Sequence, residues 1–177
     1  QALLLAGPAG IGKAAIADWL VARFDVGAHV LLIEPEKGKA SIGVEAVRQL
    51  AHFVSLRLSS DKPVSRIARI DNAHLLTIEA QNAMLKTLEE PPAGTLLLLT
   101  SSQQESLLTT VRSRLQVLEV KKPALADLQT ALPAGKDTAA MLALSGGLPG
   151  LAFALAHDDT DHPLANAAML ARELLQA

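Results

Sequence analysis

A run near the start of the chain has the residue types and spacing that bind a phosphate group. Gly7-Pro8-Ala9-Gly10-Ile11-Gly12-Lys13 matches a P-loop, in which glycines let backbone N–H groups point at an anion and the lysine adds positive charge. The motif continues with Ser or Thr, whose hydroxyl holds Mg²⁺, whereas this chain has Ala14. We therefore predict a phosphate-binding loop without a metal ligand; a purely structural glycine turn is the alternative. The predicted phosphate-binding residues are Gly7, Gly10, Gly12 and Lys13.

A second candidate is Asp71, a carboxylate at the end of the apolar stretch Ile67-Ala68-Arg69-Ile70. In P-loop proteins a carboxylate in this position orders Mg²⁺ through water, and a following glutamate activates the attacking water. Here the following residue is Asn72, whose amide cannot take a proton. General-base catalysis contributes ~10²–10⁴ in rate, so with Ala14 this change predicts negligible ATP hydrolysis. A capping role in a turn is the alternative for Asp71.

Several other charged residues could take part in chemistry. Arg112-Ser113-Arg114 precedes the last predicted strand, and it is either a solvated turn or an arginine finger that reaches a neighbour's nucleotide, worth ~10³–10⁵ in rate. The residue pattern leaves both interpretations open. His74 has no partner histidine at metal-site spacing, so we expect a structural or surface role and no metal site. Exposed charges are predicted at Lys62, Arg66 and Arg69.

These residues need a scaffold, and the apolar runs predict one. Five apolar runs are predicted to be buried strands, and helical patterns lie between them. This βαβα alternation predicts an α/β fold with a mostly parallel sheet and helices on both faces. The last run alternates with polar residues, which suits a strand near an edge. The predicted strands are Ala2–Ala6, Val30–Ile33, Ile67–Ile70, Leu96–Leu99 and Leu115–Val120.

One helix is specified at both ends. Thr77 is a predicted N-cap, and Pro91-Pro92 ends the helix because the first proline pushes the residue before it out of helical geometry. Ile78, Leu85 and Leu88 are predicted to share one apolar face. Polar residues 100–105 then follow the fourth strand, at the edge where open parallel sheets bind ligands.

Composition limits the function classes. Half of the 177 residues are hydrophobic and 2% are aromatic, which predicts a globular protein with an aliphatic core. The net charge of −2 gives no general attraction to nucleic acid. The chain has no cysteine, so disulfides and thiolate zinc sites are excluded. No apolar run is long enough to span a membrane, and the chain begins at Gln1 without a signal peptide. We expect a cytoplasmic piece of a longer protein.

Several motifs in sequence order resemble the bacterial clamp-loader branch of the AAA+ family. They are the P-loop, Asp71-Asn72-Ala73-His74-Leu75-Leu76-Thr77, Gln81-Asn82-Ala83-Met84-Leu85-Lys86-Thr87-Leu88-Glu89-Glu90-Pro91-Pro92, Leu99-Thr100-Ser101 and Ser113-Arg114. The resemblance covers about residues 2–156, and the run ending in Pro92 is its most specific part. It implies a five-stranded AAA+ domain over residues 1–122 and a small helical lid domain over 123–158. Residues 159–177 would be a linker and the start of a helical collar domain.

The branch contains ATP-hydrolysing motor subunits, called gamma or tau, and a partner subunit that does not hydrolyse ATP. Three residues depart from the motor subunits and resemble the partner subunit that does not hydrolyse ATP. They are Ala14, Asn72 and Leu151, and Leu151 stands where a motor subunit has its sensor-two arginine. Ser113 and Arg114 match the family's Ser-Arg-Cys finger motif, with Leu115 in place of the cysteine. The resemblance therefore implies an inert site in this chain and a finger offered to a neighbour.

The resemblance also implies partners. The subunit would join a five-membered ring with gamma or tau and delta subunits, which loads the sliding clamp on primed DNA within the DNA polymerase III holoenzyme. No cofactor would be required, and ATP or ADP would bind weakly at Gly7, Gly10, Gly12, Lys13 and Asp71 without hydrolysis. Thr100 or Ser101 would occupy the sensor-one position. The family's zinc module would lie between the first helix and the second strand, where only residues 25–29 stand; either this member lost the module or this sequence omits it.

Two other functions stay open on the sequence. The first is an active motor subunit of the same branch, with main-chain contacts replacing the lost side chains. The second is a small-molecule P-loop kinase, which needs acceptor-binding residues and an arginine-rich lid that the sequence does not offer. An ATPase assay separates the motor subunit from the non-catalytic subunit.

Overall fold

The computed structural model describes residues 1–36, 38–56, 58, 62–133 and 138–157. Its centre is one five-stranded sheet with the order β2-β3-β4-β1-β5, and every strand pair is parallel. The predicted parallel α/β fold is confirmed, and β5 lies at an edge as expected. No helix of the described part is long and apolar enough to cross a membrane. The strands are β1 Ala2–Ala6, β2 Val30–Ile33, β3 Arg66–Ile70, β4 Thr95–Ser101 and β5 Gln116–Glu119.

Helices cover the sheet on both faces. The side chains of a strand alternate between faces, so Leu4 and Leu5 of β1 point to opposite sides, and both are fully buried. Leu4 belongs to a large aliphatic core with the helices α2 and α3, whereas α1 packs on β1 and β4. The helices of this part are α1 Lys13–Phe24, α2 Val44–Ser55, α3 Ile78–Glu89 and α4 Thr109–Arg112.

The helix α3 begins where the sequence predicted. The Thr77 hydroxyl accepts a hydrogen bond from the Ala80 N–H at 3.2 Å, which satisfies one of the free N–H groups at the helix start. The prediction that Ile78 shares the apolar face of this helix was wrong, because Ile78 is 61% exposed. The buried stripe is centred on Ala80, Met84 and Leu88, and Ile78 lies at its margin in the first turn.

A buried amide fixes α3 to the segment that follows β4. Gln81 is 2% exposed, and its Nε2 donates to the carbonyls of Leu76 and Ser106 at 3.1 and 3.3 Å. Its Oε1 accepts from the Leu108 N–H at 2.7 Å. Three backbone groups from two loops therefore depend on one side chain, and one of those loops leads directly into α4.

The expectation that Arg66 is exposed was wrong. Arg66 is 4% exposed at the start of β3. Its Nη1 donates to the carbonyls of Phe53 and Val54 at 3.0 and 2.8 Å. These carbonyls belong to the last turn of α2, where carbonyls lack helical partners and attract positive charge.

The chain divides into two compact units. The first contains Gln1–Pro8 and Lys13–Glu119, and the second contains Ala9–Gly12 together with the chain from Val120 onward. In the second unit, α5 Leu125–Ala131, α6 Thr138–Ser145 and α7 Pro149–Ala156 share a core that includes Leu128, Met141 and Leu155. The predicted domain boundaries stay predictions, and the predicted linker and collar segment over 159–177 lies outside the described residues.

Replacing Gln81 by Leu should destabilise the fold by about 2–4 kcal/mol, because buried backbone groups left without a partner cost about 1–3 kcal/mol each. Chemical denaturation of the purified protein measures this free energy of unfolding. Gln49→Leu is the matched control, since Gln49 is exposed on α2 and should change stability by less than about 0.5 kcal/mol. Equal effects of the two substitutions would contradict the role given to Gln81.

Candidate functional site

The predicted phosphate-binding loop joins β1 to α1 as the motif requires. The strand ends at Ala6 and the helix begins at Lys13. Gly10 and Gly12 have φ values of +77° and +96°, a backbone conformation that side chains with a Cβ rarely adopt. The Gly7 N–H donates to the Ser101 carbonyl at the end of β4, at 3.2 Å. Glycine is therefore required at positions 10 and 12 for backbone reasons, and phosphate binding by the loop stays a prediction.

The side chain of Lys13 donates hydrogen bonds to carbonyl groups of the loop itself. Lys13 is buried, and its Nζ donates to the carbonyls of Gly7 and Pro8 at 2.8 and 2.9 Å. Burial lowers the pKa of the Lys13 ammonium group from its ordinary value. A phosphate bound in this loop must therefore compete with two carbonyl oxygens for the lysine.

Gly10 is also engaged by the residue at the predicted sensor-two position. The Leu151 N–H, in the first turn of α7, donates to the Gly10 carbonyl at 3.3 Å. The contact is close enough that a Cβ added at Gly150 would lie 2.8 Å from the Gly10 carbonyl oxygen. Leu151 is buried and apolar, so it contributes packing and no positive charge at the predicted sensor-two position.

The Asp71 carboxylate already has a cationic partner. Arg69 Nε donates to Asp71 Oδ1 at 3.0 Å, and Arg69 Nη2 lies 2.7 Å from Asp71 Oδ2. The Thr100 hydroxyl donates to Oδ1 at 3.1 Å and accepts from the Asn72 N–H at 3.0 Å. Both carboxylate oxygens are therefore bound by protein groups, and Thr100 is the sensor-one candidate that contacts Asp71.

Arg69 is a second arginine that the sequence placed wrongly. It was predicted to be an exposed charge, but its side chain is only 9% exposed and pairs with both Asp71 and Asp18. Burial lowers the pKa of its guanidinium, yet hydrogen bonds and the charges of the two carboxylates outweigh burial and raise the pKa above its usual value. The available signal was an arginine inside a central strand, where a charge must be paired.

These donors do not fit a magnesium ion. Mg²⁺ requires oxygen ligands in octahedral geometry. Ala14 supplies no oxygen, and the guanidinium of Arg69 stands against Asp71, where the family's metal-ordering carboxylate would face the ion. Asn72, at φ +54°, supplies no general base. No cluster of metal-binding side chains occurs elsewhere in the described part of the chain.

His74 lies beside the same strand end. Its Nε2 is 3.3 Å from the Ser102 hydroxyl, and its Nδ1 is 3.5 Å from the Ser101 hydroxyl. Burial, with a smaller contribution from the charge of Lys13, lowers the pKa of the His74 imidazole. A neutral imidazole among hydroxyl groups agrees with the structural role that the sequence predicted.

Ser113 and Arg114 lie far from this cluster. The loop, Asp71 and Thr100 follow the carboxyl ends of β1, β3 and β4. Leu3 of β1 pairs with Gln116 of the parallel strand β5, so Arg114, two residues before Gln116, lies at the amino edge of the sheet. A five-residue strand separates the two edges by roughly 17 Å. Arg114 is thus remote from the phosphate-binding loop of its own chain.

The amino edge also carries a cavity of about 400 Å³ near the connection between α1 and β2. Asp25 and Gly27 adopt φ values of +47° and +60° there, which lets five residues, 25–29, turn the chain directly into β2. This is the place where the resemblance implied a zinc module, and the described connection is a short turn.

Comparisons with known proteins identify relatives of this chain. The family model described as DNA polymerase III, delta subunit, matches residues 23–124. The delta' subunit of DNA polymerase III from Escherichia coli K12 is 40% identical over 134 residues, which cover 72% of this chain and 39% of that protein. The delta' subunit from Pseudomonas aeruginosa is 35% identical over 179 residues, which cover 84% of this chain and 53% of that protein. This chain therefore spans about half or less of these relatives.

Among solved structures, a DNA polymerase III gamma subunit-related protein from Thermotoga maritima matches with a TM-score of 0.60 and 19% identity. The match covers 94% of this chain and 71% of that one. At this identity the likeness is one of fold, and it confirms the predicted P-loop AAA+ architecture.

Replacing Arg69 by Met should destabilise the protein by about 2–3 kcal/mol, somewhat less than the ~3–5 kcal/mol of a fully buried pair, because Asp71 keeps some contact with solvent. Adding Asp71→Asn should recover at least half of this loss, since the unpaired carboxylate is then gone. Denaturant unfolding of both variants measures the effect. Arg23→Met, at an exposed position of α1, is the control, and a double variant no more stable than Arg69→Met would argue against the pairing.

Proposed function

The chain belongs to the DNA polymerase III delta' clamp-loader family, and we propose that it works as a subunit that does not itself hydrolyse ATP. In this proposal it joins a clamp-loader ring with gamma or tau and delta subunits. It offers the Arg114 guanidinium to the nucleotide of the adjacent motor subunit. The chain covers only part of its relatives, so the activity and partners of the whole protein are part of the proposal.

The chemistry of its own nucleotide site supports the inert half of this proposal. Hydrolysis needs a metal, a base that takes a proton from water, and cations free to stabilise the transferring phosphate. Ala14 removes the metal hydroxyl, Arg69 binds the Asp71 carboxylate, and Asn72 replaces the base. Lys13 is bonded to two loop carbonyls. ATP or ADP at this loop would therefore bind weakly, without a metal, and stay intact.

The observation that carries the other half is the location of Arg114 at the amino edge of the sheet. There it is on the opposite side from its own phosphate-binding loop, so its charge cannot act on a nucleotide bound in this chain. It is partly exposed, with 34% of its side chain in contact with solvent. A nucleotide that Arg114 contacts must therefore be held by another molecule.

The local structure gives Arg114 a defined starting position. Its Nη1 donates to the Thr110 carbonyl at 2.7 Å, and the Ser113 hydroxyl donates to the same carbonyl at 3.1 Å. The short helix α4 and the buried Gln81 hold this segment in place. A guanidinium near a transferring phosphoryl group stabilises the negative charge that develops on its oxygens, and Ser113 helps to orient it.

The remaining roles follow from the family and form part of the same proposal. The assembled ring would load the sliding clamp on primed DNA in the cytoplasm, and this chain would contact the clamp only indirectly. With a net charge of −2, the chain alone should bind DNA poorly, because affinity for DNA depends on neutralising phosphates. Contact with DNA would then arise within the ring.

The purified protein should hydrolyse ATP no faster than a buffer blank, and Lys13→Ala should not change the measured rate. Phosphate release at saturating ATP with Mg²⁺ tests this, with a gamma-type motor subunit as the positive control. Turnover that disappears in the Lys13→Ala variant would contradict the proposal and favour the active motor subunit.

In a reconstituted clamp loader, Arg114→Ala should lower DNA-stimulated ATP turnover at the adjacent site by about 10³-fold or more, the low end for an arginine finger. The other sites of the ring keep their own fingers, so single-turnover hydrolysis at the adjacent site is the quantity to measure. Arg112→Ala is the matched control, two residues away and of the same charge. Equal rates for both variants, with assembly intact, would leave the chain as a scaffold.

A further inference from the structure

The guanidinium of Arg114 has an anionic partner within its own chain. Arg114 Nη2 donates to Glu89 Oε1 at 2.6 Å, and the two residues are 25 positions apart in sequence. Glu89 is the last residue of α3. Pro91-Pro92 follows it and prevents the helix from continuing, so the carboxylate is fixed at the amino edge of the sheet, beside the finger.

The bonds of Arg114 leave part of its guanidinium free. Nη1 is used by the Thr110 carbonyl and by the Ser113 hydroxyl, at 2.7 and 3.4 Å. Nη2 is used by Glu89. A guanidinium has five N–H groups, and within the described part of the chain Nε makes no hydrogen bond. The carboxylate therefore blocks one half of the fork that would bind a phosphate in two-point geometry.

On the basis of the function proposed above, we propose that Glu89 is a positioning residue that restrains Arg114 until a phosphate of the neighbour's nucleotide displaces it. A carboxylate and a phosphate accept hydrogen bonds from the same guanidinium nitrogens, so they compete for Arg114. While Glu89 holds Nη2, it also cancels most of the positive charge that the finger would bring to the neighbouring site.

The ion pair between Arg114 and Glu89 is weak enough for a phosphate to replace Glu89. The Glu89 side chain is 50% exposed, and ion pairs at exposed positions contribute little to stability. A nucleoside triphosphate carries more negative charge than one carboxylate, so it can displace Glu89 from Arg114 once the two subunits approach. The pair is strong enough to bias the finger in the resting ring and weak enough to release it.

This inference has a direct test in the reconstituted clamp loader without DNA. Glu89→Gln should raise the basal ATP turnover at the adjacent site about 2- to 5-fold and lower its KM for ATP, which is the range that a half-exposed ion pair can control. Glu90→Gln is the matched control, because Glu90 is the next residue, is exposed, and makes no side-chain hydrogen bond in the described part. Thermal unfolding of each variant shows whether folding is preserved.

A double substitution shows whether Glu89 acts through the finger. In an Arg114→Ala background, Glu89→Gln should no longer change turnover or KM. A rise that persists in that background, a fall in basal turnover, or equal rates for Glu89→Gln and Glu90→Gln would overturn the restraint proposed for Glu89. If Arg114→Ala alone does not change turnover, both the finger role of Arg114 and the restraint by Glu89 are wrong. If Arg114→Ala lowers turnover and Glu89→Gln has no effect, only the restraint by Glu89 is wrong.

Discussion

The ion pair between Arg69 and Asp71 fixes the arrangement of charged groups at the carboxyl edge of the sheet, where the phosphate-binding loop is predicted. Two guanidinium nitrogens bind the two carboxylate oxygens, and a second carboxylate, from Asp18, also pairs with Arg69. Both oxygens of Asp71 are therefore bound by a guanidinium group. An arginine cannot be deprotonated in proteins, so the positive charge of Arg69 is permanent.

The fold places the predicted phosphate-binding loop and Arg114 at opposite edges of one sheet. In a parallel sheet, all strand-to-helix loops meet at one edge and all helix-to-strand loops meet at the other. The phosphate-binding loop, Asp71 and Thr100 share the carboxyl edge, whereas Glu89 and Arg114 share the amino edge. Under the proposed function, the substitutions that remove hydrolysis lie at the first edge and do not touch the second, where the buried Gln81 keeps the segment before Arg114 packed on α3.

The sequence predicted the parts of this structure that depend on local rules. The P-loop needs glycine at fixed positions, the cap of α3 needs a hydroxyl at Thr77, and parallel strands need unbroken apolar runs. It failed where a side chain finds its partner in a distant segment. Arg69 pairs with Asp18, 51 residues away, and Arg66 binds carbonyls at the end of α2. Residue type alone gives such arginines an exposed position, and only the assembled sheet reveals that both are buried.

The central claim is that Arg114 acts on the nucleotide of a neighbouring subunit. The most direct measurement is a cryo-EM structure of the reconstituted ring with ADP and beryllium fluoride, which imitates the terminal phosphate of ATP. In this structure the Arg114 guanidinium should lie about 3 Å from a fluoride in the adjacent site, within hydrogen-bond distance, and should have left Glu89. A guanidinium that stays on Glu89, with no contact to the neighbour's nucleotide, would rule out action of Arg114 on the adjacent site.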